Sequence, residues 1–341
     1  MYDFIEEKCM SKIGLVIPYW SDISKSELIE VARLAEELGF HSIWVPEMWG
    51  RDAFSLLAFI AIHTKRINLG TGIVSVFSRT PAIIAQTVAT LDEISGGRMV
   101  LGLGTSGPIV IEDWHGIKFE KPLRRTREYI EIIRMILNGS RVDYTGEIFK
   151  LKNFRLQFTP RKDIPIYIAS IGPKNIRLTG ELADGWIPFL IPKGYIQDAK
   201  KELAAGAWAA GRDLGWIRVC PYIPACISSD ADLSKRVVQE HIAYYIGGMG
   251  TFYHNVISRY GFKDEADRIV EAWKKGSKAQ AIQSVSDSMI DSVAIVGRAA
   301  EGRKKLEEFR YSGADLPILI FPPKAPRDIV KETIMELAPG G

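Results

Sequence analysis

Along the chain one phrase recurs: a short run rich in Ile, Val and Leu, then a loop, then a longer segment with apolar residues at helical spacing. Such alternation calls for a parallel sheet covered by helices. The apolar runs predict strands over 13–18, 42–46, 67–74, 99–103, 164–169, 185–189, 218–226 and 316–321. Eight strands with intervening helices make an α/β fold of the (β/α)8 TIM-barrel type.

Helices are predicted over 25–38, 54–63, 81–94, 122–137, 173–183, 196–210 and 298–311. Pro81 opens the third, and Gly96 and Gly97 stop it. A proline in the first turn lacks only a donor that the helix leaves unpaired, and a glycine past the end tolerates positive φ. A closed barrel needs about 250 residues, which leaves room for insertions. One is expected at 139–160, where VDYTGEIFKL alternates like a hairpin before strand five. A second, helical one at 230–289 follows strand seven and includes RVVQEHIAYYIGGM and ADRIVEAWKKG. Long excursions in compact domains are usually functional, so this one is expected to cap the barrel and help form a pocket. No linker rich in Gly, Ser or Pro divides the chain, and the expectation is one domain over 1–341.

Composition narrows the partners. Hydrophobic residues at 47% and charged residues at 25% are close to globular averages, against disorder. A net charge of +3, with no block of Lys and Arg, argues against nucleic acid or a membrane surface and for a small molecule. Cys9, Cys220 and Cys226 are too few for a disulfide framework, and a reducing cytoplasm fits. The acidic first residues and the lack of any run of about 18 apolar residues argue against secretion and membrane spanning. None of the five histidines has a metal-ligand spacing, so no metal is expected.

In a barrel of this kind the loops after the strands build the site. Those loops read VPEMWGRD, TGIVSVFSR, GLGTSGP, ASIGPKN and DGWIPF. Gly104, Thr105, Ser106 and Gly107 offer closely spaced backbone N–H groups and two hydroxyls. After Ala169, residues Ser170, Ile171 and Gly172 lead to Pro173 at a helix start, where unpaired amides and the helix dipole favour an anion. Either loop alone also reads as an ordinary tight turn. Together, after adjacent strands, they point to a phosphorylated cofactor.

RTPAIIAQTVATLDEISGGRMVLGLGTSG, WHGIKFEKPLRRTREYIEIIRMIL, IPIYIASIGPKNIRLTGELADGWIP and LPILIFPP strongly resemble the luciferase-like monooxygenase superfamily. Within it they are most similar to the branch that uses the deazaflavin coenzyme F420 and includes methylene-tetrahydromethanopterin reductase. The resemblance covers nearly the whole chain, and GLGTSGP with WHGI and EKPL is its most specific part. It implies a TIM barrel, a ring system across the strand ends and a phosphate on backbone amides. Hydride would pass between the deazaflavin and a small organic substrate such as an alcohol, aldehyde, pterin or imine. An FMN-dependent monooxygenase and a non-catalytic flavin-binding paralogue are the alternatives within the same fold.

The resemblance also implies a non-prolyl cis peptide at Gly72–Ile73, backing the ring. Several relatives carry an Asp-His pair after strand two, whereas this chain has Glu47 and Met48. Methionine cannot transfer a proton. Glu47 is therefore the catalytic candidate there, with Trp49 and Trp186 as pocket walls. His115 is a second candidate acid or base, although the matching segment in relatives helps start the next helix. Asp184 reads as structural. Relatives usually form homodimers through helices two and three, which here places Ile83, Ile84, Val88 and Leu91 on the expected face.

Overall fold

The computed structural model describes residues 12–48 and 50–339, so Cys9 and the pocket candidate Trp49 lie outside the described residues. In chain order the elements begin β1 (Gly14–Val16), α1 (Lys25–Glu37), β2 (Ser42–Val45), α2 (Ala53–Ala61), β3 (Asn68–Thr71), β4 (Val74–Ser75), α3 (Pro81–Ser95), β5 (Met99–Gly104) and α4 (Pro122–Leu137). They continue with β6 (Val142–Thr145), β7 (Lys150–Phe154), β8 (Ile166–Ala169), α5 (Pro173–Leu182), β9 (Gly185–Trp186), α6 (Ile196–Ala209), β10 (Arg218–Val219) and β11 (Tyr222–Ile227). The remainder is α7 (Ala231–Gly248), α8 (Thr251–Ile257), α9 (Lys263–Lys274), α10 (Lys278–Gln283), α11 (Asp287–Val293), β12 (Ile295–Gly297), α12 (Ala299–Tyr311), β13 (Ile318–Ile320) and α13 (Arg327–Glu336). The described residues group into two compact units, one within Ser42–Ile187 and Glu202–Ile217, the other within Met1–His41, Pro188–Lys201 and Arg218–Gly341.

In the first unit the sheet runs β9-β8-β5-β3-β2, parallel throughout, with β4 also pairing β5. Large and small residues interlock across it. Trp44 of β2 is fully buried and lies where a side chain on Gly70 of β3 would stand, 2.3 Å from an added Cβ. Asp92 at the end of α3 and Arg98 at the start of β5 are both buried charges, and both are satisfied. Asp92 accepts from Arg161 and from the Met99 N–H, while the Arg98 guanidinium donates to the carbonyls of Ala61 at the end of α2 and of Thr64 and Ile67 beyond it. Buried charges persist only under that condition. The antiparallel hairpin β6-β7 is pinned in the same way: the buried carboxylate of Glu128 on α4 accepts from the N–H groups of Glu147, Ile148 and Phe149.

The second unit has the parallel order β1-β13-β11-β12, with α7 to α11 between β11 and β12. Two elements here escape the sequence pattern. β12 is a three-residue strand inside the amphipathic run SVAIVG, too short for a period of its own, and α13 follows the last predicted strand. The single strand predicted over 218–226 is two, β10 and β11, parted at Cys220 and Pro221. The one predicted over 67–74 is interrupted between β3 and β4, and the one over 185–189 is reduced to β9. Among the described residues no helix is long and apolar enough to cross a membrane.

Candidate active site

Strand register in the first unit sets the loops side by side. Ser75 at the end of β4 pairs with Gly104 at the end of β5, and Gly104 pairs with Ala169 at the end of β8. The segments that follow, 76–79, 105–108 and 170–172, therefore leave the sheet at one level. Between β3 and β4 the Gly72–Ile73 peptide is cis, as the resemblance implies. The flanking backbone is tied on both sides: Gly72 N–H donates to the Val45 carbonyl at 2.7 Å, and the Ile73 carbonyl accepts from Glu47 N–H at 3.3 Å. Ile73 lies over Gly104, where an added Cβ would stand 2.9 Å from Ile73 Cδ1 and 3.5 Å from the Ala169 Cβ. Glycine at 104 is thus a packing requirement between Ile73 and Ala169.

Beyond Gly104 the chain turns through Ser106, which has φ of 57°, and the Gly107 carbonyl accepts from Val110 and Ile111 to open a π-helical turn at Ile109–Trp114. Thr105, Ser106 and Gly107 are half-buried. Consecutive amides around a left-handed residue form a concavity suited to an anion. The neighbouring loop ends at Gly172, the N-cap of α5, with Pro173 next and no side-chain cap. A Cβ added at Gly172 would meet nothing within 4 Å, so the helix N-terminus faces open space. Neither loop carries an acidic residue, and Lys174 follows Pro173. Backbone donors, a positive helix end and that space fit a phosphate.

Ser170 differs from its neighbours. It is buried, its hydroxyl is paired with Thr179 Oγ1 at 2.8 Å, and its carbonyl accepts from Trp186 Nε1 at 2.8 Å. Its side chain is a fastener for α5. Trp186 is fully buried, so it supports this loop from within the core instead of walling a pocket as expected. The indole needed a partner for its N–H once buried, and the Ser170 carbonyl provides it.

Glu47 is held by a residue that the sequence reading passed over. Both of its oxygens accept from Arg79, at 2.5 and 3.0 Å, and Oε2 also accepts from Ala53 N–H at 3.1 Å. Arg79 reaches Asp52 as well, the N-cap of α2, whose Oδ1 accepts from Ser55 N–H at 2.7 Å. The hydrogen bond to Glu47 is the first cause that raises Arg79 above its ordinary pKa. Burial pushes Asp52 upward, but the Ser55 hydrogen bonds and the Arg79 charge outweigh it and hold the carboxyl low. A guanidinium fork on both oxygens, with the Ala53 N–H on one of them, fixes the orientation of this carboxyl group. Arg79 was legible as the only cation in VSVFSR, directly before the Thr80-Pro81 helix start.

His115 is exposed and caps the π-helical turn, its N–H donating to the Val110 carbonyl at 3.2 Å. Glu112 Oε1 in the same turn accepts from Phe119 N–H at 2.9 Å, and Phe119 stacks on Phe77. The segment is thereby fixed against the loop after β4, with His115 at its outer corner. Asp184 is structural, as expected: its Oδ2 accepts from Ile166 N–H at 2.8 Å and from Arg134.

Residues 12–316 match the family model of the luciferase-like monooxygenases. A protein of Mycobacterium tuberculosis named as a coenzyme F420-dependent oxidoreductase is 33% identical over 330 residues, covering 90% of this chain and 94% of the relative. The 5,10-methylenetetrahydromethanopterin reductase of Archaeoglobus fulgidus is 34% identical over 306 residues, covering 87% and 90%. Among solved structures, the coenzyme F420-dependent tetrahydromethanopterin reductase of Methanopyrus kandleri matches with a TM-score of 0.82 and 27% identity over 96% of this chain and 98% of that one. Fold, loop geometry and sequence agree, and the chain belongs to the luciferase-like monooxygenase family, among relatives that are F420-dependent oxidoreductases.

Proposed function

We propose that this protein is a coenzyme F420-dependent oxidoreductase that exchanges hydride with a small organic substrate. The observation that carries the reading is the common register of Ser75, Gly104 and Ala169, which sets two anion-suited loops beside the Gly72–Ile73 bulge. When bound, the deazaflavin supplies or takes the hydride at a ring carbon, and the protein's share is orientation, electrostatics and exclusion of water. Amides of 104–107 and of Ile171 and Gly172 hold the phosphate, and Gly72 and Ile73 back the ring. Glu47 has a positioning role: its carboxyl group is fixed by Arg79, and its backbone N–H donates to the Ile73 carbonyl. Met48 beside it has no proton to transfer. The exposed His115 is the nearest sequence candidate for that task, and its cap geometry favours a structural part.

A closed eight-stranded barrel in a single domain belongs to the same reading, supported by the likeness to the solved reductase over 96% of the chain. So do a cytoplasmic setting, supported by the buried free thiols of Cys220 and Cys226, and a homodimer. The expected dimer face needs revision. Ile84, Val88 and Leu91 are buried in the chain's own core, whereas Ile83, Ile94 and Ile62 are exposed at 49%, 52% and 69%. Those three, on and beside α2 and α3, are the apolar surface we assign to the dimer.

Titrating the purified protein separately with F420 and with FMN, followed by cofactor fluorescence, tests the reading. Tighter binding of F420, with the protein catalysing no flavin-dependent oxygen consumption, is the expected result. Binding of FMN alone would replace it with the monooxygenase alternative.

A further inference from the structure

On α7 of the second unit stands His241, 6% exposed, with no hydrogen-bond partner for its Nε2. The rings around it come from three segments of the chain. His241 lies 6.0 Å from Phe189 and 5.0 Å from Tyr245, centroid to centroid. Phe189 meets Tyr245 at 4.6 Å and Tyr253 at 5.6 Å, and Tyr245 meets Tyr253 at 5.0 Å, all edge to face. Phe189 is buried, but Tyr245 and Tyr253 each keep part of their surface open. The cluster is therefore reachable from outside.

A histidine is a poor choice for filling such a space. Leaving a buried imidazole nitrogen unmet forfeits its hydration, a loss that Phe or Leu in the same place would avoid. Burial lowers the imidazole pKa to about 4, with no contribution from any charged group, so the ring is neutral near pH 7. Among the described residues, no carboxylate, lysine or arginine contributes to the shifts of His241, Tyr245 or Tyr253, all of which arise first from burial. An environment of this kind rejects an ionised ligand and accepts a flat one, because edge-to-face rings offer both π-faces and polarised C–H edges.

We propose that His241, Phe189, Tyr245 and Tyr253 bind an uncharged planar ring compound, whose edge carbonyl or N–H hydrogen-bonds to His241 Nε2. The assignment rests on the oxidoreductase reading only in calling that compound the substrate. Its residues lie wholly outside the unit that carries the proposed phosphate loops.

Calorimetric titration of the full-length protein, without added cofactor, tests the site using benzamide, cyclohexanecarboxamide and benzoate. The first is flat and neutral, the second shares its amide without the flat ring, and the third shares the ring but is charged. Benzamide is expected to bind at millimolar concentration and the other two at least about fivefold more weakly. In His241→Phe, benzamide should bind about tenfold more weakly, the loss of one hydrogen bond, while the thermal midpoint stays level or rises. His241→Gln keeps a donor and an acceptor and should recover part of the affinity. No heat with benzamide, equal affinities for the three compounds, or unchanged benzamide affinity in His241→Phe would each overturn the proposal. Failure of F420 to bind in a separate titration would remove the oxidoreductase reading and leave these measurements as they stand.

Discussion

The two units of this chain build the surfaces proposed to bind ligands by opposite means. In the first, glycine clears space so that backbone can approach backbone or a ligand: Gly104 admits Ile73, and Gly172 leaves the α5 N-terminus open. In the second, four ring side chains from three segments fill space and leave one nitrogen unmet. Backbone sites of the first kind are tolerant of sequence outside a few small residues. A side-chain site of the second kind depends on every ring that packs it.

The sharpest way to break the comparison is to ask whether the glycines of the first unit are all of one type. At Gly102 an added Cβ would stand 1.9 Å from the Thr71 carbonyl oxygen, a backbone atom that cannot turn aside. Gly102→Ala is expected to lose about 3 kcal/mol or more in urea unfolding. A loss under about 1 kcal/mol would mean that the β3-β5 contact is looser than the geometry requires.

Acid stability separates the units next. His241 is buried neutral, with a folded pKa of about 4 below the ordinary 6.5. The unfolded chain then binds more protons between those values, so stability is complete above about pH 6.5 and falls as pH drops toward 4. By pH 5 the residue should cost about 2 kcal/mol, and His241→Phe should lack that share of the loss. His41, also lowered to about 4, first by burial, is present in both proteins and cancels. Identical pH profiles for the two would show that His241 is hydrated.

Gly172→Leu probes the opposite property, since its side chain would enter open space. Unfolding free energy should change by less than about 0.5 kcal/mol, while F420 affinity should fall at least about tenfold, roughly 1.4 kcal/mol. Unaltered affinity would take the phosphate away from this loop.

The smallest effect is expected at Glu47. Glu47→Gln keeps the shape and weakens the fork from Arg79, and a double-mutant cycle with Arg79→Ala should give a coupling of about 1 kcal/mol for this partly exposed pair. Turnover should fall more than F420 affinity, the pattern of an interaction made mainly in the transition state. Equal turnover would leave Glu47 as an anchor for α2 through Ala53 and nothing more.

Much of the first unit was legible because its signals are local. A Gly-rich stretch directly after an apolar run, or a proline after Ser170, Ile171 and Gly172, marks a strand-loop-helix turn within ten residues of chain. Local patterns also located the helix limits at Pro81, Gly96, Pro122 and Pro173. The misplaced assignments share a cause. Trp186 was given to a pocket by its place after a strand, and Ile84, Val88 and Leu91 to a dimer face by the resemblance to relatives, and side-chain direction buried each of them in the core.

Sequence alone determined the alternating strand-helix order, the family and the positions of the two loops proposed to hold a phosphate, since each is set by contiguous residues and by the two periods of side-chain placement. Only tertiary structure decided that Glu47 is held by Arg79, 32 residues away, that Ser170 is tied to Thr179, and that His241 faces Phe189 across 52 positions of chain. The reason is physical: hydrogen bonds and ring contacts of that range depend on strand register and helix packing, and neither is written into the residues that make them.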